Sequence, residues 1–582
     1  MKPRFLTTAS AALVLTLAAF PALAAPGDID TTFNSGVPAI IDPGSGNYLN
    51  VLAGAINPSN GDILFAGDYD TNMGAIAAYK PDGTLDTSVF GTGTTYVDPG
   101  AVGFPGGYLQ FYAIAVDGQG RILLAGAAND AANTTNDMLL MRLKPDGTLD
   151  TNFGAGGTGF VLAQLDDYAE GEGLSLTADG HILVTGDAYD SGSSLDNLTV
   201  WRFSTDGTPD SSFGSSGHVQ IAGITDSGYL GCKPALQPDG ALLVGCGQES
   251  AQAWTATRLL PDGSVDTTFG NSGFVTGATG LYLYGLALAP DGGFIVSEAD
   301  VNSPPPIDLR RYLADGSVDT AFNGGNPFDL STLVGTQSRL PVAVQPDGKM
   351  LLSANDGSHH LIVARLLADG TLDSGFGANG VGTVDFSNIG GSSYQSEPSS
   401  LLLQGDGKIV IVGYAVNTSD SRRISFVTRL DNDTFSFTPD AFSFMDKTGV
   451  SLSTLITSNA ISVSGLSSNV SVPVSVSGGE YKVNSGAWTS DPGLVQNGDQ
   501  VAVRHTSSGS YSTLTTTTLT IGGQAIPNNG STVLGNAASA SFTSTTKAKA
   551  SGGGGGGGFN LLGLLGLMLL GLRTLAKKRQ DA

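Results

Sequence analysis

Up to about residue 433 the chain alternates short apolar runs with Gly- and Asp-rich turns. Ile122-Leu123-Leu124 and Ile409-Val410-Ile411-Val412 are two such runs, each just past an Asp-Gly pair. Apolar runs of this length, bounded by turn signals, predict β-strands. One phrase recurs between them. Asp82-Gly83-Thr84-Leu85-Asp86-Thr87 returns at Asp146–Thr151, Asp206–Ser211, Asp262–Asp266, Asp315–Asp319 and Asp369–Asp373, with a truncated copy at Gly27–Thr31. An aromatic follows each copy: Phe33, Phe90, Phe153, Phe213, Phe269, Phe322 and Phe376. A second phrase lies between, at Asp117-Gly118, Asp179-Gly180, Asp239-Gly240, Asp291-Gly292, Asp347-Gly348 and Asp406-Gly407, with Asn60-Gly61 in the first unit.

Each unit therefore predicts four short strands. In the fifth these are Phe274–Thr276, Leu283–Leu288, Phe294–Ser297 and Leu309–Leu313. Pro-Asp-Gly between strands suits a type I turn followed by a left-handed glycine. Seven units of four antiparallel strands predict an all-β fold built on a seven-bladed β-propeller over residues 25–433. A straight β-solenoid is the structural alternative. The Asp-Gly-x-x-Asp-x-x-Phe core resembles the bacterial delta-60 repeat, and the resemblance covers residues 27–433. The last unit ends at Arg429–Asp433 without the Asp-x-x-Phe tail, which residues 27–33 could supply to close a ring.

Residues 438–546 are richer in Ser and Thr, with alternation at Ile461-Ser462-Val463, Val470-Ser471-Val472 and Val501-Ala502-Val503. This predicts an immunoglobulin-like β-sandwich. The stretch Gly478–Trp488 and the strands after it resemble a sandwich module of bacterial surface proteins, which implies a spacer or stalk.

Both termini read as addresses. Lys2 and Arg4, the apolar run Ala11–Phe20 and Ala22-Leu23-Ala24 form a signal peptide over 1–24, cleaved after Ala24 by signal peptidase. At the other end a Gly-rich linker over 547–558 contains the run Gly552–Gly558. Then come an apolar helix over 559–576, continuous from Phe559 to Leu572, and a basic tail over 577–582. Arg573, Lys577, Lys578 and Arg579 mark the cytoplasmic side. This layout resembles the bacterial Gly-Gly C-terminal sorting signal, which implies a rhomboid-like intramembrane protease as partner. The uninterrupted apolar stretch would cover roughly 21 Å, short of a hydrocarbon core of about 30 Å. That favours a processed transmembrane signal over a permanent anchor. The expected location is the cell surface or the medium.

Charge and composition narrow the function. The net charge is −25; the ends carry +2 and +3 of it, so residues 25–551 carry −30. An acidic exported surface argues against nucleic acid, whose binding needs clustered Lys and Arg. The histidines His181, His218, His359, His360 and His505 are scattered, without metal-ligand spacing. Asp pairs such as Asp146/Asp150 offer calcium too few ligands without a neighbouring strand. Asx-turn capping is the preferred role, with calcium as the alternative cofactor and none otherwise expected. Arg142, Arg202, Arg258, Arg311, Arg365 and Arg429 each stand four residues before the Asp of the turn, where the first unit has Ala78. They form either repeat ion pairs or an anion-binding ring, and the ion-pair reading is preferred.

If Pro238-Asp239-Gly240 closes a three-residue hairpin, the same register sets Cys232 opposite Cys246. In an exported chain that predicts a disulfide. No nucleophile elbow or phosphate-binding loop is present, so no catalytic residue is assigned. The leading function is a noncatalytic module binding an extracellular polymer or protein. A structural envelope protein is the alternative, and a polysaccharide hydrolase or lyase comes third. An enzyme would need acids that break the repeat and converge on the channel; Asp166, Asp167, Glu170 and Glu172 are the candidates.

Overall fold

The computed structural model describes residues 25–549 except 45, 71, 133–135, 166–167, 178, 191–194, 223, 225–230, 238, 248–252, 301–306, 336–338, 469, 523–525, 529–530 and 534–535. Residues 1–24, read above as a signal peptide cleaved after Ala24, and residues 550–582, with Gly552–Gly558, the apolar stretch and the basic tail, lie outside the described residues. Among the described residues no helix is long and apolar enough to cross a membrane.

The protein is all-β. Sheet 1 consists of Leu49–Ile56, Ile63–Tyr69, Met73–Tyr79 and Thr94–Val97, antiparallel in chain order. Sheet 2 (Tyr108–Val116, Ile122–Asn129, Asn136–Leu143, Phe160–Ala163) and sheet 3 (Tyr168–Leu176, Ile182–Asp190, Leu195–Phe203, His218–Ala222) repeat this order. They touch through one parallel pair, Tyr168 with Asn136. Sheet 4 is Lys233–Leu236, Leu242–Cys246, Thr255–Leu259 and Phe274–Thr276. Sheet 5 is Leu281–Leu288, Phe294–Asp300, Ile307–Tyr312 and Phe328–Asp329. Sheet 6 is Val342–Val344, Met350–Asn355, His360–Leu366 and Val381–Asp385. Sheet 7 breaks chain order. It joins Tyr394–Leu403, Ile409–Asn417 and Arg423–Leu430 to the N-terminal strand Ala39–Ile41.

One expectation is corrected here. Phe274–Thr276 does not open the sheet of the strands after it; it is the outermost strand of sheet 4, paired with Thr255–Thr257. The sequence unit and the sheet are out of phase by one strand, because the conserved-looking turn lies inside a sheet, between its third and fourth strands.

Second and third strands are buried along nearly their whole length. That explains their continuous apolar runs: a sheet covered on both faces does not alternate. Each hydrophobic cluster is shared by two consecutive sheets. Leu64, Ile76, Phe111 and Leu124 join sheets 1 and 2, and Leu123, Leu140, Val184 and Trp201 join sheets 2 and 3. The series ends where it began, since Leu402, Val410 and Val412 of sheet 7 pack with Phe65, Ala77 and Tyr79 of sheet 1. A straight solenoid would keep its first and last sheets apart, so this packing excludes it.

Residues 435–546 form a separate core. One sheet runs Lys447–Val450, Ala538–Thr546, Leu514–Ile521, Ser471–Ser477 and Gly493–Gln496. The other is centred on Gln500–Thr506. Val472, Val474, Val501, Val503, Leu519 and Phe542 fill the space they share.

Candidate functional site at the first strands

The two aspartates of the repeat have separate tasks. Asp146 Oδ1 accepts from the Thr148 N–H (2.9 Å) and hydroxyl (2.7 Å), an Asx-turn with a Thr clasp. Asp150 caps the following turn through the Asn152 N–H with Oδ1, while Oδ2 accepts Arg142 Nε at 2.8 Å. Every arginine of the series is paired in this way. Arg202, Arg258, Arg311 and Arg365 pair with Asp210, Asp266, Asp319 and Asp373, each eight residues on. Arg429 pairs with Asp30 at 2.6 Å, so the N-terminal tail fills the place that the last unit leaves empty. The guanidinium also stacks on the phenylalanine of the tail, 4.4 Å from the ring centre for Arg142 over Phe153 and 5.0 Å for Arg429 over Phe33. It then donates onward to the next unit's turn, as from Arg142 to the Thr205 carbonyl and from Arg258 to the Ala314 carbonyl (2.7 Å). Arg311 turns instead to Asp291 of its own sheet, so all six arginines make ion pairs and five of them also clamp the next unit. The hydroxyl and N–H of Ser212, with Arg202, hold the Asp210 carboxyl down at about 2.

The first strands are built differently. In five first strands the register slips by one residue, between Val51 and Ala53, Phe111 and Ala113, Gly171 and Gly173, Leu283 and Gly285, and Pro398 and Ser400. The extra residue at these β-bulges is Leu52, Tyr112, Glu172, Tyr284 or Ser399. A bulge re-aims the side chain that it inserts. All five line one cavity of about 160 Å3, with Lys233 of sheet 4 and Arg339 just before sheet 6. Every first strand thus contributes to a single wall. Arg339 donates to the Leu52 carbonyl at 3.3 Å.

Beside this cavity three buried carboxylates meet: Glu170, Glu172 and Asp187 offer oxygens within 4.8 Å of one another. Antiparallel pairing sets Glu170 opposite Asp187, and the bulge turns Glu172 to the cavity. Glu170 Oε1 accepts Asn136 Nδ2 (2.9 Å), the Tyr112 hydroxyl (3.3 Å) and the Tyr168 hydroxyl. Burial, and then the charge of Glu170, push both phenols above their ordinary value, so they remain donors. Glu172 Oε2 accepts the Cys232 N–H at 2.9 Å. Oxygen ligands so disposed could hold a divalent cation, or could bind a polar ligand together with Lys233.

Of the acids that break the repeat, Glu170 and Glu172 converge here, while Asp166 and Asp167 lie outside the described residues. Asp187, Tyr112, Tyr168, Lys233 and Arg339 carry no motif in the sequence. Only the strand register could have brought them forward. Cys232 and Cys246 are joined by a disulfide, in the register set by Leu236 opposite Leu242 and Lys233 opposite Gly245. The histidines remain apart: His505 is buried between the Thr517 and Ser544 hydroxyls, and His360 pairs with Asp356.

The family described as "Domain of unknown function (DUF5122) beta-propeller" matches residues 120–153, 177–213, 237–269, 345–376 and 404–433. The chain is a β-propeller repeat protein. Four of the five matches end on the phenylalanine under the arginine clamp, at Phe153, Phe213, Phe269 and Phe376. No curated protein matches the chain. Among solved structures, the polysaccharide lyase Uly1 is 10% identical, with 65% of this chain and 90% of that chain covered and a TM-score of 0.36. The α-L-arabinofuranosidase Arb93A from Fusarium graminearum is 12% identical, with 68% and 96% covered and a TM-score of 0.32. The β-propeller domain of the Trilobed protease from Pyrococcus furiosus is 9% identical, with 67% and 93% covered and a TM-score of 0.35. Likenesses of this degree say nothing about activity.

Proposed function

We propose that this chain is an exported, seven-bladed propeller of delta-60 repeats that binds an extracellular polymer or protein, noncatalytically, at the cavity walled by its first strands. In this reading sheets 1 to 7 are the blades, and residues 438–546 are an immunoglobulin-like stalk. Signal peptidase removes residues 1–24, and a rhomboid-like protease trims the chain at Gly552–Gly558, leaving it at the surface or in the medium. The observation that carries the reading is the set of five bulges, which deliver leucine, glutamate, serine and two tyrosines to one cavity. A purely structural ring would have no need of them. The test is a binding screen of the ectodomain, residues 25–546, against glycans and envelope polymers, repeated with Tyr112→Ala and Lys233→Ala. The reading expects a ligand whose retention falls at least tenfold in both variants; retention unchanged in both would overturn it.

A second reading, polysaccharide hydrolysis or elimination, is favoured by the closeness of Glu170, Glu172 and Asp187. Against it, Glu170 is held by three donors. New chain ends released from any polymer in the screen, and lost in Glu172→Gln, would establish it instead.

A further inference from the structure

The first unit departs from the arginine clamp at three positions, and all three meet at its seam with the second unit. Where six units have arginine it has Ala78. Where the others have phenylalanine three residues after the aspartate it has Val89, so the aromatic predicted at Phe90 falls one residue late. Phe90 occupies the site of Asn34, Gly154 and Gly214 with φ at 58°, a conformation that bulky residues avoid. The residue just before the second strand is a base in four units: Arg121, His181, Lys349 and Lys408. Three of these reach the tail aspartate, His181 to Asp210 (3.3 Å), Lys349 to Asp373 (3.4 Å) and Lys408 to Asp30 (2.6 Å). In the first unit this residue is Asp62.

Asp86 still caps its turn, accepting the Ser88 N–H (3.0 Å) and hydroxyl (2.7 Å). The side chain that it then meets is the carboxyl of Asp62, and not a cation. The two are 5% and 4% exposed. Asn60 Nδ2 donates to Asp62 at 2.5 Å, and Lys80, from the segment after the third strand, is the other charge facing both. Two ionised carboxylates in such a place repel, whereas a carboxylic acid can donate to a carboxylate. We propose that a proton held between Asp62 and Asp86 replaces the missing guanidinium and makes the seam between the first and second units a pH-responsive joint. Burial, and then Asp86, raise the Asp62 carboxyl to about 6. A raised carboxyl favours the folded seam when protonated, so the contact is fully present below about pH 4 and is lost as pH rises through about 6. The seam at Asp210 runs the opposite way: that carboxyl, held down at about 2, keeps its contact until strong acid. Leu52 and Tyr112 stand on the two sides of the joint, so its loosening moves the cavity wall.

Hydrogen exchange on the secreted protein between pH 5 and 7.5, followed by mass spectrometry, tests this with the other units as internal controls. The segment around Ser88 should lose at least threefold in protection relative to the segments around Asn152 and Ser212 as pH rises. Asp62→Asn, which keeps the shape and cannot ionise, should abolish that relative change, and Ala78→Arg should hold the segment protected at both ends of the range. If the Ser88 segment tracks the other two at every pH, or if Asp62→Asn leaves the relative change intact, the proton-held joint is wrong.

Discussion

The turns after the third strands lie at one end of the sheets and the bulges midway along the first strands, and the units treat the two differently. At the turns Asp, Arg and Phe recur because each meets a repeated kind of neighbour: Asp an N–H two residues on, Arg the carboxylate of a tail aspartate, and Phe the guanidinium stacked on it. At the bulges the corresponding residues are Leu52, Tyr112, Glu172, Tyr284 and Ser399, and no two neighbouring sheets present the same one. A ring whose holding contacts are uniform and whose inner wall is not can be stable through the turns and selective through the wall. The first unit, with Ala78, Val89 and Asp62, is where the uniform end itself departs from the rule.

The largest effect should come from the turn end. Arg365 is 2% exposed and pairs with Asp373. Arg365→Ala removes the main partner of Asp373, leaving it Lys349 at 3.4 Å, and should cost about 3–5 kcal/mol in urea unfolding of residues 25–546. A loss under about 1 kcal/mol would remove the clamp from the account. Next is the disulfide that ties the start of sheet 4 to its second strand, with a sequence separation of 14. Replacing both by serine should cost about 3 kcal/mol, and the unreduced protein should show no free thiol after unfolding.

Ring closure gives a smaller effect with a definite sign. Burial would raise the Asp30 carboxyl, but hydrogen bonds from Lys408 and Thr32, and the charge of Arg429, hold it far below the ordinary range. A depressed carboxyl contributes stability above about pH 4 and loses it as pH falls further. Asp30→Asn should therefore lose on the order of 2 kcal/mol at pH 7 and much less at pH 2. Equal losses at both would mean that the N-terminal tail closes the ring by packing alone.

How far each region was legible follows from the same contrast. The Asp-Gly-x-x-Asp turn and the arginine four residues before it could be read because each recurs in six of the seven units, and the register around Asp239-Gly240 brought Cys232 to Cys246. The phase of the sheets was not legible, since a turn between third and fourth strands looks like one between units. The bulges left no trace either: one extra residue in a strand of variable length matches no pattern. Glu170 and Glu172 stood out as acids that broke the repeat, but their partner Asp187 comes from the opposite strand, and Lys233 and Arg339 from sheets on either side of the ring. At the first unit Phe90 passed for the repeated aromatic because the strand spacing hides an offset of one residue.

The smallest expected change in stability is at the bulges. Tyr112→Phe removes one long hydrogen bond to Glu170, and unfolding should shift by about 1 kcal/mol or less. The division of labour between turns and bulges is tested most directly by one binding measurement on three proteins. The wild type, Arg258→Ala and the double variant Glu172→Gln/Lys233→Ala would be passed over the same glycan and envelope-polymer panel, at a temperature where all three are folded. Arg258→Ala should bind as the wild type does, and the double variant should lose at least tenfold. Binding lost in Arg258→Ala and kept in the double variant would contradict the account, placing recognition on the arginine ring instead of the inner wall.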